Sequence, residues 1–109
     1  MIKGIGIDLI EVDRVAGVLE RRGPCFLKKV FTPGEIKECG QTVQRLAGRF
    51  AAKEAFFKAL GTGFRGFRWQ EVEVKNNALG APYFHFSEQL SHYLEQLGVT
   101  NTRLTISHS

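Results

Sequence analysis

The chain opens on an alternation. In IKGIGIDLI, Ile5, Ile7 and Leu9 fall on one face and Gly4, Gly6 and Asp8 on the other. That is the period of a strand, with one bare face leading to a carboxylate. The period then lengthens. In VDRVAGVLERRG, Val12, Val15 and Leu19 recur at helical spacing and Gly23 marks the stop. FTPGEIKECG begins another helix, with Thr32 as N-cap, Pro33 at the first position and Glu35 completing a T-x-x-E capping box. Residues 42–60 carry the longest helical pattern. Phe50, Ala51, Ala52, Ala55, Phe56, Phe57, Ala59 and Leu60 make it apolar on most sides, as for a buried helix. A glycine-rich basic loop, GTGFRGFR, follows it. WQEVEVK and APYFHF flank the turn NNALG, so residues 69–86 predict a hairpin. Ser87 caps a helix through EQLSHYLEQLG, with Leu90, Leu94 and Leu97 inward and Gly98 as its stop, and TRLTISHS reads as a last strand. The order strand, helices, hairpin, helix, strand predicts an α+β fold: a mainly antiparallel sheet with helices packed on it.

Composition sharpens this only in places. At 109 residues the chain suits a single domain over 1–109. Nine phenylalanines are a generous supply of large apolar surface, which oligomerisation would help to cover. The net charge of +4 favours acidic partners: a phosphate compound, nucleic acid or an acidic protein. Cys25 and Cys39 form no C-x-x-C pair, so reduced thiols are expected in place of a zinc site. The apolar N-terminal stretch is broken by glycine and Asp8 and is too short to span a bilayer. A cytoplasmic protein with no membrane partner is expected.

The charges on the long helix are the first candidates for chemistry. With Arg49 at 0°, Lys53 falls at about 40°, Glu54 at about 140° and Lys58 at about 180°. Glu54 and Lys58 thus share one edge, and Arg49 and Lys53 another. A Glu-to-Lys pair four residues apart is also an ordinary helix contact. Yet Phe50 and Phe57 lie between the edges, and charges that are partly buried need partners. Three of the four are cations, so a bound anion would supply the missing charge. Asp8 reads either as a strand-end carboxylate capping the next turn or as a partner of Glu54. Two carboxylates suit Mg²⁺ if a phosphate supplies further oxygens. Lys53, Lys58, Arg49, Arg65 and Arg68 would then hold the other phosphate oxygens. Gly61, Thr62 and Gly63 either end the helix or let backbone N–H groups approach a phosphate. His108, flanked by hydroxyls in SHS, is a lesser candidate. FRGFRW could instead stack and bind nucleic acid, but Asp8 and Glu54 would sit in that site, so no nucleic-acid partner is expected.

Taken together, GIGIDLIEVDR, GRFAAKEAFFKALGTG, VEVKNNALGAPYF and TISHS resemble the holo-acyl-carrier-protein synthases, the small bacterial branch of the 4′-phosphopantetheinyl transferases. The resemblance runs along essentially the whole chain. It implies a homotrimer with active sites between neighbouring subunits. It implies Mg²⁺-dependent transfer of the phosphopantetheine arm of coenzyme A to a serine of apo acyl carrier protein, with adenosine 3′,5′-bisphosphate leaving. By the same resemblance Asp8 and Glu54 are metal ligands and, with Lys58, catalytic. Lys58 contacts the coenzyme A pyrophosphate, and Arg49 and Lys53 lie near the phosphates. Gly61, Thr62 and Gly63 lie beside the nucleotide, and His108 and Ser109 near the 3′-phosphate. Glu54 or a water on the metal would take the serine proton. Arg14, Val18 and Arg21, with Arg22 beside them, form either a solvated basic face or the docking surface for acyl carrier protein. Relatives of this kind continue past the Ser-His segment into a further strand, so a C-terminal strand is expected to be missing from these residues.

Overall fold

The computed structural model describes residues 5–40, 42–61, 66–99 and 102–106. Its axis is the helix foreseen as buried, α4 (Val43–Leu60); the elements before it are β1 (Ile5–Ile7), α1 (Leu9–Arg22), α2 (Pro24–Val30) and α3 (Pro33–Cys39). After it come a short 3₁₀ turn (Trp69–Glu71), β2 (Val72–Asn76), β3 (Pro82–Phe86), α5 (Glu88–Gln96) and β4 (Leu104–Ile106). The architecture is α+β. The longer ladder is antiparallel, pairing Val72 with Phe86 through Asn76 with Pro82 in the hairpin. The shorter one is parallel: Ile5, Gly6 and Ile7 lie opposite Leu104, Thr105 and Ile106. Gly6 suits that pairing, because a Cβ there would come within 3.2 Å of the Thr105 hydroxyl.

The core forms where the apolar faces meet on α4. Val12, Val15, Ala16 and Leu19 of α1 are buried, and α1 lies along α4. Phe50 meets Phe26 and Phe31 edge-on and lies against Trp69, while Phe56 stacks on Phe86 and touches Phe84. Every described phenylalanine is buried or half-buried, so the aromatic surplus is largely spent inside the chain.

Four local readings change. Helix α1 starts at Leu9, not Val12, because the Asp8 carboxylate accepts the Glu11 N–H at 2.8 Å and caps the helix there. Leu9 therefore leaves the strand pattern and is 37% exposed. Gly23 stops α1 as expected, at φ 83°, but Pro24 immediately opens α2, which the hydrophobic pattern did not announce. Trp69–Glu71 is a helical turn ahead of β2, not part of the strand. Leu97 is the C-cap of α5 and is 43% exposed, whereas Leu90 and Leu94 are buried. The Thr32–Glu35 capping box is formed in both directions, at 3.1 and 3.0 Å.

Candidate active site

Strand β1, the start of α1 and one edge of α4 enclose a cleft of about 520 Å³. Gly6, Ala51 and Ala55 leave part of its lining free of bulk, and Asp8, Glu54 and Lys58 line it too. The structure thus brings together the three residues read as catalytic. Asp8 is held at the β1–α1 junction. Its Oδ1 accepts the Glu11 N–H, and Oδ2 has no partner among the described residues. Both readings of Asp8 therefore meet in one side chain, a helix cap that still offers an oxygen to the cleft. Glu54 and Lys58 project from the same edge of α4, one turn apart; Glu54 is half-buried and Lys58 exposed.

Two further charged groups line the same cleft, Glu11 and Arg14. The Arg14 guanidinium forks onto Glu11, with Nε donating at 3.2 Å, and reaches Glu54 with Nη2 at 3.3 Å. That hydrogen bond to Arg14 holds the Glu11 carboxyl below the usual carboxylate range. Arg14, read from the sequence as part of a docking face, is thus an occupant of the cleft. Glu11 was not singled out; its three-residue spacing from Asp8 and from Arg14 was the available signal.

The other edge of α4 goes elsewhere. Lys53 is fully buried. Its ammonium donates to Glu35 at 2.6 Å, to the Val30 carbonyl at 2.6 Å and to the Trp69 carbonyl at 3.4 Å. The anion that Lys53 lacked in the sequence is therefore Glu35 of α3, and its reading as a phosphate contact is corrected. Arg49 is likewise buried, with Nη2 on the Asn76 side chain at 3.2 Å, the Glu38 carboxylate at 3.8 Å and Nε without a hydrogen-bond partner. It lines a second cavity of about 690 Å³, with Arg45, Asn76 and Gly80. Among the described residues the two cavities share no lining residue.

Gly61 caps α4 in the left-handed conformation, φ 77°, its N–H donating to the Lys58 carbonyl at 3.1 Å. Thr62, Gly63, Arg65, His108 and Ser109 lie outside the described residues. Arg68 lies outside the lining of both cavities; its backbone N–H donates to Glu71 at 2.8 Å. On α1, Val18 is half-buried and Arg21 and Arg22 are exposed, the Arg22 guanidinium lying 4.5 Å from the Phe26 ring centre.

The donor set of the cleft fits a hard divalent cation. Asp8 and Glu54 offer oxygen only, and among the described residues no histidine or cysteine lines the space. Among the described residues no three His, Cys, Asp or Glu side chains converge on one point. Mg²⁺ would thus take two carboxylates from the protein and its remaining oxygens from phosphate and water.

Comparison with known proteins gives a consistent result. Residues 4–107 match the 4′-phosphopantetheinyl transferase superfamily. The chain is 47% identical to the holo-[acyl-carrier-protein] synthase of Solibacter usitatus, over 100% of this chain and 90% of that one. It superposes on the crystal structure of the Neisseria meningitidis holo-[acyl-carrier-protein] synthase with a TM-score of 0.70 at 38% identity, covering 84% and 76% of the two chains. It also superposes on the Helicobacter pylori synthase in complex with coenzyme A, with a TM-score of 0.68 at 27% identity, covering 78% and 75%. The chain belongs to the 4′-phosphopantetheinyl transferase superfamily, and within it to the holo-acyl-carrier-protein synthases, which makes it an enzyme of that kind.

Proposed function

We propose that this enzyme transfers the 4′-phosphopantetheine group of coenzyme A to a serine of apo acyl carrier protein, with Mg²⁺, and releases adenosine 3′,5′-bisphosphate. The observation that carries the reading is the convergence of Asp8, Glu54 and Lys58 on one cleft. The coenzyme A bound to the H. pylori relative supports the donor.

Asp8 and Glu54 would hold the cation, which supplies charge neutralisation at the pyrophosphate oxygens. Lys58, exposed at the rim and without an ion-pair partner among the described residues, would meet a phosphate oxygen one helical turn from Glu54. The serine oxygen attacks the β-phosphorus in line. The new P–O bond joins the arm to the carrier, the pyrophosphate bridge breaks, and the nucleotide departs with the bridging oxygen. The serine proton passes to Glu54 or to water in the cleft. Glycine and alanine in the lining leave room for the substrate beside the backbone.

The role of Arg49 follows from its separate cavity. Coenzyme A carries phosphate at two places, and in one chain the cleft and the Arg49 cavity share no described lining residue. In a homotrimer the Arg49 cavity of one subunit would meet the cleft of the next, and its Arg45 and Arg49 would supply charge for the second phosphate. The exposed Arg21 and Arg22, in the last turn of the helix that carries Arg14, would give acyl carrier protein a basic face, and charge there steers encounter. Cys25 and Cys39 are both free thiols, in keeping with the cytoplasm. No helix of the described residues is long and apolar enough to cross a membrane.

Incubating the protein with coenzyme A, Mg²⁺ and apo acyl carrier protein, then weighing the carrier by mass spectrometry, tests the reading. A phosphopantetheine mass gain that EDTA abolishes is expected. An unmodified carrier at saturating coenzyme A and Mg²⁺ would overturn it.

A further inference from the structure

We propose that Arg14 is a built-in counter-ion for Glu54, and that the divalent cation binds by displacing it onto Glu11. This rests on the reading of Asp8 and Glu54 as the cation ligands.

Asp8 cannot turn freely toward a cation, because its Oδ1 is fixed on the Glu11 N–H at 2.8 Å. Glu54 is the adjustable ligand, and its hydrogen-bond partner among the described residues is Arg14. That contact is single and long, Nη2 to Oε1 at 3.3 Å. The hold of Arg14 on Glu11 is closer and two-pronged, with both Nε and Nη2 donating to the carboxylate. Arg14 can therefore leave Glu54 without losing its charge partner. Its side chain is 53% exposed, so the movement opens no hole in the core. Helix α1 thus carries a fixed ligand, a movable cation and the carboxylate that retains it, all within its first two turns.

The consequence is competition. A cation arriving alone must displace a positive group from Glu54. One arriving with a phosphate brings its own negative charge and loses less to that competition. The latch biases the cleft toward taking metal and phosphate together.

The test is direct binding of Mn²⁺, as a probe for Mg²⁺, to the full chain without coenzyme A, followed by electron paramagnetic resonance. Removing the competing charge in Arg14→Gln should tighten Mn²⁺ about three- to tenfold. Arg14→Lys should fall between that variant and the parent, because an ammonium keeps the charge but lacks the planar fork. Glu54→Gln should lose Mn²⁺ binding whichever residue stands at position 14. If Glu54→Gln binds Mn²⁺ normally, the assignment of the ligands fails, and the latch with it. If Glu54→Gln loses Mn²⁺ but Arg14→Gln binds it no tighter than the parent, or Arg14→Lys equals the parent, the ligands stand and the latch is overturned.

Discussion

Glu35 accepts from three donors at once: the Lys53 ammonium at 2.6 Å, the Thr32 N–H at 3.0 Å and the Val74 N–H at 2.8 Å. One buried carboxylate therefore ties α4, the start of α3 and β2 together. Removing either charged partner is unequal. Glu35→Ala strands a buried ammonium and two N–H groups, and should cost about 3–5 kcal/mol. Lys53→Met leaves Glu35 with its two backbone donors and should cost distinctly less; urea denaturation of both variants measures the difference. Burial is the main reason that Lys53 gives up its proton more readily than an ordinary lysine at 10.5. Between its folded value and 10.5 the native state binds fewer protons than the unfolded one. The Lys53 contribution to stability therefore rises with pH across that window and levels off above it. The stability gap between the parent and Lys53→Met should widen as pH approaches 10.5. Helical spacing had separated Glu54 and Lys58 from Arg49 and Lys53, and that separation is what the fold contains. It could not reveal that Lys53 finds its anion on Glu35, eighteen positions upstream, because no local period encodes a contact between two helices.

At the scale of elements, the β1–α1 junction does two jobs with one residue. Asp8 ends the strand, caps the helix and faces the cleft. The two jobs are separable by chemistry, since asparagine caps a helix nearly as well as aspartate but brings no charge to a cation. Asp8→Asn should keep its thermal midpoint close to the parent and lose Mg²⁺-dependent transfer. Asp8→Ala should lose transfer and also about 1 kcal/mol of stability. Normal turnover in Asp8→Asn would remove Asp8 from the metal site. Elements with a local signature were readable, among them the Thr32–Glu35 box, the Ser87 cap and the hairpin around 77–81. Helix α2 was not, because Gly23-Pro24 reads equally as an end and as a beginning. The parallel pairing of β1 with β4 was not either, since three-residue strands carry too little alternation to state a partner.

For the whole molecule, the Arg49 cavity and the candidate cleft share no described lining residue, so the proposed reaction calls for assembly. If each site takes Glu54 from one subunit and Arg49 from another, two inactive variants should rescue each other. Glu54→Gln and Arg49→Gln chains, unfolded together and refolded as a mixture, should recover about a quarter of the parent transfer rate, the random share of sites with both halves intact. No recovery from two well-folded variants would place the whole site within one chain. The parallel pairing of β1 with β4 also bears on how the enzyme is made. Asp8 leaves the ribosome about a hundred residues ahead of Leu104–Ile106, which pair with the strand that aims it. A nascent chain therefore finishes α1 and α4 well before β1 has its partner, and the cleft takes its final shape only after residue 106 has emerged.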